Sequence, residues 1–283
     1  MVRLTGEAAV DGKISVLMGV YNAENVIINA VETIEKQTER NREFIICDDG
    51  STDGTYGILL QMKQKYSDII LLRNTENQGL ACALNRCLSE AEGEFIARMD
   101  VDDLCVPERF AYQKNFLTEH PEYDLVGAQM IMLDDNGEKT FSREIPVPTG
   151  KELPLKSPFA HPTVLMRRYV LERLGGYSVE KYTRRCEDLE LWYRFFAMGM
   201  KGYNLPQYLY IKKQGLEDYR RRKVIHGVEM FFIHLRGLRM LHSPAYKYVL
   251  AVKPVVSAMI PKRIMMKYHK LVFGRGESKK SAD

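Results

Sequence analysis

Four times in its first hundred residues the chain repeats one unit: a short apolar run, a polar cluster, then a segment with helical periodicity. Residues 14–19, 43–47, 69–72 and 94–98 are the apolar runs and read as strands. Residues 24–37, 53–65 and 80–90 read as the helices between them, the first with Ile27, Ile28, Val31 and Ile34 as its apolar positions. Pro107 opens a further helix, since proline is welcome in a first turn whose N–H groups lack intrahelical partners. Strands alternating with helices imply βαβ units and a mainly parallel, doubly wound α/β sheet. The runs are continuously apolar, as strands covered on both faces must be. Right-handed crossovers then bring every strand-to-helix loop to one edge, where open α/β sheets bind their ligands.

With 283 residues, 45% of them hydrophobic and 28% charged, the chain can bury a sizeable core as one large domain or as a domain with an appendage. Its middle is less regular. Residues 125–133 and 163–166 read as strands, residues 134–137 (Asp-Asp-Asn-Gly) as a turn, and residues 202–211 as a return to the sheet. Residues 188–198 place Leu189, Leu191, Trp192, Phe195 and Phe196 on an amphipathic helix. Charge divides the rest. From Arg220 onward there are fifteen Lys and Arg against three Asp and Glu, a net of +12, which leaves −8 for the preceding 219 residues of a chain carrying +4. The expected division is a body over 1–218, with halves at about 14–103 and 104–218, and a basic helical segment over 219–283 that frays from residue 277.

Several classes are excluded. The five cysteines are scattered and form no CxxC pair or Cys/His cluster, so neither zinc nor a disulfide framework is expected, only thiols in a reducing cytoplasm. No basic region followed by an apolar core opens the chain, which argues against secretion. The longest apolar stretch, residues 248–260, is broken by Lys253 and Pro254 and falls short of the roughly 20 residues of a spanning helix. No GxGxxG follows the first strand, which removes nicotinamide enzymes.

The polar clusters are the functional signal. They are Gly19-Val20-Tyr21-Asn22-Ala23-Glu24, Asp48-Asp49-Gly50-Ser51-Thr52-Asp53, Arg73-Asn74 with Asn77-Gln78-Gly79 close behind, and Arg98-Met99-Asp100-Val101-Asp102-Asp103. One acidic turn is ordinarily a helix cap or a solvated loop; four at one sheet edge describe a ligand site. In an extended segment Asp100 and Asp102 project to the same face. Hard oxygen donors so placed suit Mg²⁺ or Mn²⁺ rather than zinc, with substrate phosphates completing the shell. Asp49 is suited to accept an N–H from a uracil or guanine ring, while Asp53, helped by Ser51, caps the next helix.

The segments SVLMGVYNAE, CDDGSTDGT, NQGLACALN, ARMDVDD, HPTV and CEDLELW, in this order, resemble bacterial family 2 glycosyltransferases over residues 14–210. The resemblance implies a GT-A fold, a nucleoside-diphosphate sugar donor (UDP by family habit) and inversion at the anomeric carbon. It implies that Tyr21 and Asp49 hold the base, that Asp100 meets the ribose, that Asp102 meets the metal ion and that Asp188 is the general base. Arg73 is matched to an arginine that contacts the diphosphate. With the loop positions read above, the nucleotide-binding set becomes Val20, Tyr21, Glu24, Asp49, Arg73, Gly79, Arg98 and Asp100. Asp188 would take the proton of an acceptor hydroxyl as it attacks the far side of C1. Glu187 either orients Asp188 or contacts the acceptor, or is simply a carboxylate favoured at a helix N-terminus. His161 is read as an acceptor-side or supporting residue, against a purely structural role. Trp192 is read as core.

The C-terminal segment is the part least like the family, so the acceptor is open. Residues 246–273 mix apolar positions with Lys247, Lys253, Lys262, Arg263, Lys267 and Lys270, as in helices that lie on anionic membranes. This suits a saccharide acceptor carried on a lipid, as in surface polysaccharide or glycolipid synthesis, and a place at the inner face of the cell membrane. The alternative is that its apolar stripe packs on the body or on a second subunit. The run at residues 220–223 has three readings: a lid over the diphosphate, a lipid contact or a solvated face. No nucleic-acid reader motif accompanies the charge. Two rival functions remain, a noncatalytic regulator on the same fold and a sugar nucleotidyltransferase. The latter should carry a Gly-rich loop with Arg and Lys after the first strand, and this chain has Gly-Val-Tyr-Asn-Ala-Glu there.

Overall fold

A computed structural model describes residues 10–214 and 224–259. Nine strands form one sheet: β1 (Val10–Val20), β2 (Arg42–Asp48), β3 (Ile69–Arg73), β4 (Gly93–Arg98), β5 (Leu104–Cys105), β6 (Leu125–Asp134), β7 (Lys139–Phe141), β8 (Leu165–Arg167) and β9 (Gly202–Gln214). Their spatial order is β3-β2-β1-β4-β8-β6-β9-β5, with β7 hung on β6. The helices are α1 (Ile27–Glu35), α2 (Thr55–Lys65), α3 (Leu80–Glu90), α4 (Arg109–Glu119), α5 (Arg168–Leu174), α6 (Glu187–Ala197), α7 (Val224–Met240), α8 (Tyr246–Leu250) and α9 (Lys253–Met259).

The first four apolar runs make the expected parallel half, β3-β2-β1-β4. Its register puts Val20 beside Asp48 and Asp48 beside Arg73, and Leu17 beside Arg98, so the polar clusters leave the sheet along one edge. The second half is mixed. β8 runs antiparallel to both β4 and β6, β6 and β9 are parallel, and β5 is antiparallel to β9. The doubly wound pattern therefore stops at β4, where the connections cease to be simple strand–helix–strand crossovers.

Two apolar layers cover the sheet. One, with Val31, Phe44, Phe110 and Tyr210, lies under α1, α2 and α4. The other, with Leu84, Met166, Trp192 and Phe195, lies under α3, α5 and α6. Trp192 is fully buried there, as expected.

Some boundaries differ from the sequence reading. α1 begins at Ile27, not at residue 24, because the N–H groups of Val26 and Ile27 both turn back to the Ala23 carbonyl. The helix expected from Pro107 starts at Arg109, and residues 161–163 form a 3₁₀ turn ahead of the short β8. α5 and the short strands β5 and β7 were not expected. The basic run at residues 220–223, the junction at 218/219 and residues 260–283 lie outside the described residues. What is described of the C-terminal segment packs part of its apolar surface on the body: Ile233, Leu238 and Ala251 join the Trp192 layer.

Candidate active site

The first part of the site is a knot of loops at the carboxyl ends of β1, β2 and β3. Asn22 takes a positive φ of 48° and donates its backbone N–H to the Ser51 hydroxyl at 3.0 Å, while its Oδ1 accepts the Thr52 N–H at 2.9 Å. Glu24 Oε2 accepts the Gly54 N–H at 2.7 Å. Asp53 Oδ1 accepts the N–H of Thr55, the first residue of α2, at 3.0 Å, but the N-cap itself is Gly54, so Asp53 acts from one position ahead of the cap expected for it. These bonds consume the small polar side chains and leave Tyr21 46% exposed at the rim, free to lie against a planar ring.

Asp49 is buried and organises the third loop. Its Oδ1 accepts from Asn74 Nδ2 at 2.6 Å and Gln78 N at 3.0 Å, and its Oδ2 accepts from Gly79 N at 2.7 Å. A carboxylate offers about four acceptor positions, so one on Oδ2 is left for a ligand N–H. Gly79 sits at φ 96°, ψ 160°, a conformation only glycine adopts without strain, and starts α3. Arg73 stands apart. Its Nε is 3.2 Å from Asp48 Oδ2 and its guanidinium lies over the Tyr56 ring at 3.9 Å, half exposed on the outer side of the loop.

The second part follows β4. Arg98 is buried and ion-paired with Asp100, whose backbone N–H donates to the Tyr210 hydroxyl at 3.2 Å. Asp100, Asp102 and Asp103 can each offer an oxygen such that all lie within 4.8 Å of one another. Asp103 is buried; Oδ1 accepts the Lys213 N–H at 3.1 Å, and Oδ2 has no hydrogen-bond partner among the described residues. Burial, then the charge of Asp100, push its carboxyl up to about 7. A buried carboxylate oxygen without a donor, next to two more carboxylates, fits a hard divalent cation.

The third part is the N-terminus of α6. Glu187 is buried, and desolvation followed by the charge of Asp188 pushes its carboxyl up to about 7. Asp188 is also raised by burial, opposed by a 2.7 Å hydrogen bond from Leu189 N to its Oδ1 and by Arg98. Arg98 and Asp100 therefore act electrostatically on both acids, which ties the end of β4 to the start of α6. His161 is buried behind them. Its Nε2 is 3.0 Å from the Tyr177 hydroxyl and its ring meets Trp192 edge-on at 5.8 Å. Burial and the nearby Arg98 hold the imidazole well below its ordinary range and hence neutral. It supports the wall of the site.

The structure thus gathers Arg98, Asp100, Asp102, Glu187 and Asp188, with Asp49 and Tyr21 on the adjoining loops. It adds Asp103, Tyr210, Asn74 and Tyr177. Asp103 stood in the DVDD run but was passed over because only alternate positions share a face in extended chain. Tyr210 carried no local signal.

The model for glycosyl transferase family 2 matches residues 15–175. The chain is similar to EpsE of Bacillus subtilis (strain 168), named as a glycosyltransferase, with 40% identity over 260 residues, 91% of this chain and 93% of that protein. It is similar to the UDP-Gal:alpha-D-GlcNAc-diphosphoundecaprenol beta-1,3-galactosyltransferase of Escherichia coli, with 28% identity over 215 residues, 74% and 77% of the two chains. The fold matches the mannosyltransferase PcManGT from Pyrobaculum calidifontis, solved in complex with GDP-Man and Mn²⁺, with a TM-score of 0.65 and 19% identity over 92% of this chain and 79% of that one. The chain belongs to glycosyl transferase family 2 and has the GT-A fold.

Proposed function

We propose that this chain transfers a sugar, with inversion, from a UDP-sugar to a hydroxyl of a saccharide carried on a lipid diphosphate. The observation that carries the reading is two acidic groups acted on by one buried guanidinium: Asp100, Asp102 and Asp103 after β4, where Arg98 is ion-paired with Asp100, and Glu187 and Asp188 at the start of α6, both of which Arg98 influences electrostatically. UDP and a lipid-linked acceptor follow the chemistry named for the E. coli relative. The expected division at residue 218 keeps all of these groups in the body.

In this reading Tyr21 stacks on the base and the remaining acceptor position of Asp49 takes a ring N–H. Asp102 and Asp103, with Asp100, would hold Mn²⁺ or Mg²⁺, which would supply charge neutralisation for the departing diphosphate. Asp100 divides its oxygens between Arg98 and the site. Asp188, raised by burial, accepts the acceptor hydroxyl's proton as its oxygen attacks C1 from the side opposite the diphosphate, so a single displacement inverts the centre. Glu187, pushed up to about 7 by burial and then by the neighbouring Asp188, is about half protonated near neutral pH and so places less than a full charge beside Asp188. Arg73, held by Asp48 and Tyr56, reaches the diphosphate only by leaving both.

The test is calorimetric titration with UDP and GDP, with Mn²⁺ and with chelator, on wild type, Asp102→Ala and Asp188→Asn. Metal-dependent UDP binding is expected in wild type and Asp188→Asn and lost in Asp102→Ala. With a UDP-sugar, Asp188→Asn should lose transfer by about two to four orders of magnitude, the range of general-base contributions. Unchanged UDP affinity in Asp102→Ala overturns the metal assignment, and full transfer in Asp188→Asn overturns the base.

A further inference from the structure

The C-terminal hairpin has two faces that differ in chemistry. Its inner face is fixed to the helix that carries Glu187 and Asp188. His234 Nδ1 lies 2.8 Å from the Tyr193 hydroxyl of α6, and Gly237 lies so close to the Tyr193 ring that a Cβ would overlap it. Lys247 is buried and donates its ammonium to the Lys151 carbonyl at 2.7 Å, and Lys253 donates to the Leu155 carbonyl at 3.1 Å. Gly227 of α7 abuts Val255 of α9, closing the hairpin.

The outer face is apolar and uncovered. The winding of α8 carries on into α9, with Val252 N bonded to Val249 O and Val256 N to Val252 O. Tyr246, Val249, Val252 and Val256 therefore recur at steps of three, three and four on one side, opposite the buried pair Lys247 and Ala251. Val249 is 74% exposed and Tyr246 67%, so most of both side chains faces outward. Leu155, 51% exposed, borders them through its carbonyl contact with Lys253.

From these observations we infer that the outer face of α8 and α9 docks on an anionic lipid surface and so sets the orientation of α6 toward it. Charge chooses the occupant. Fifteen of the chain's basic residues lie from Arg220 onward, eleven of them in residues 220–223 and 260–283 flanking the hairpin, against three acidic ones. A second copy meeting this face would bring the same sign of charge, whereas anionic headgroups neutralise it while the valines and the tyrosine enter the headgroup boundary. No helix among the described residues is long and apolar enough to cross a membrane, so the contact is in the plane of the surface. The inference rests on the proposed function only for its purpose, bringing a lipid-carried acceptor to Asp188; docking itself needs no donor.

The experiment is co-sedimentation of the full chain, without nucleotide, with phosphatidylcholine vesicles and with vesicles also containing phosphatidylglycerol. Wild type should pellet with the anionic vesicles and stay in solution with the neutral ones. The double variant Val249→Glu, Val256→Glu should bind the anionic vesicles at least about tenfold more weakly, since it loses two inserted side chains and adds repulsion. Both positions are exposed, so its unfolding transition and UDP titration should match wild type. Wild-type binding by the variant, or no preference for anionic vesicles, overturns the inference. So does a concentration-dependent dimer, abolished by the same substitutions, in a protein that ignores vesicles. Failure of UDP binding with intact vesicle binding would instead overturn the donor reading alone.

Discussion

Glu187→Gln should stabilise the protein, and by an amount that grows with pH. In the fold the Glu187 carboxyl is pushed from its ordinary 4.5 up to about 7, chiefly because it is buried and then because Asp188 is its neighbour. Below the unfolded value both states hold the proton and the group contributes nothing. As pH rises from there, the unfolded chain releases its proton while the folded chain keeps it, so the unfolding free energy falls. Above about 7 both are ionised and the full cost is present. At about 1.36 kcal/mol per unit of pKa difference, that cost is on the order of 3 kcal/mol. Glutamine has the same shape and no charge to desolvate. Urea unfolding of both proteins in chelator, at about pH 5 and about pH 8, should show a variant advantage that widens from about 1 kcal/mol to about 3 kcal/mol. An advantage equal at the two pH values would refute the reasoning, because it would mean that Glu187 ionises as freely in the fold as outside it. The same variant separates the readings of this residue. A carboxylate merely favoured by the α6 dipole would be stabilised by ionisation, and the raised value says that desolvation wins. Under the proposed function, Glu187→Gln should lower the transfer rate while raising stability.

Two further substitutions test the supports of the site. Gly79→Ala must adopt φ 96° with a Cβ, a strain of about 1–3 kcal/mol; released through the Gln78–Gly79 bonds to Asp49, it should weaken UDP binding about tenfold or more in the same calorimetric titration. Gly237→Ala gains up to about 1 kcal/mol of helix propensity but drives a methyl into the Tyr193 ring, an overpacking of about 1–3 kcal/mol. The thermal transition should fall, and the fluorescence of Trp192, the chain's one tryptophan, should change because it shares α6 with Tyr193.

How much of this was legible follows from the range of the interactions. α3 was read at its observed ends, residues 80–90, because Gly79 before it and the 3.6-residue spacing of Leu80, Ala83, Leu84, Cys87 and Leu88 are local facts. β2 and β4 were read from uninterrupted apolar runs for the same reason. β5 has two residues, Leu104 and Cys105, and exists only because they pair with Ile211 and Tyr210; no pattern within two residues announces a strand. α5 was missed because Arg168–Leu174 is short and begins at an arginine with no cap in the sequence. In the site, the DVDD run announced carboxylates but not that Asp103 would be fixed by the N–H of Lys213, 110 positions later. Arg73, matched by the resemblance to an arginine that contacts the diphosphate, has its guanidinium against Asp48 and Tyr56, two contacts that no local pattern announces.

The seam of the sheet explains why these distant groups meet. Strand direction reverses between β4 and β8, and the backbone at that reversal needs partners that a regular ladder does not supply. Arg109, fully buried, fills the gap: its guanidinium donates to the carbonyls of Arg98 and Pro162 at 3.0 Å each. Gln113, one turn further along α4, donates to the Thr163 and Val126 carbonyls at 2.7 and 3.2 Å. α4 thereby clamps the end of β4 to the turn that enters β8. That turn holds His161, which bonds to Tyr177, and Asn85 of α3 binds both the N–H and the carbonyl of Tyr177 at 2.8 Å each. Tyr177 leads, ten and eleven positions on, to Glu187 and Asp188. The end of β4, the turn before β8 and the segment that leads into α6 are thus tied by buried side chains that take up several of the backbone groups at the reversal. A topological break that would otherwise cost stability becomes the place where the two halves of a transfer site are registered against each other.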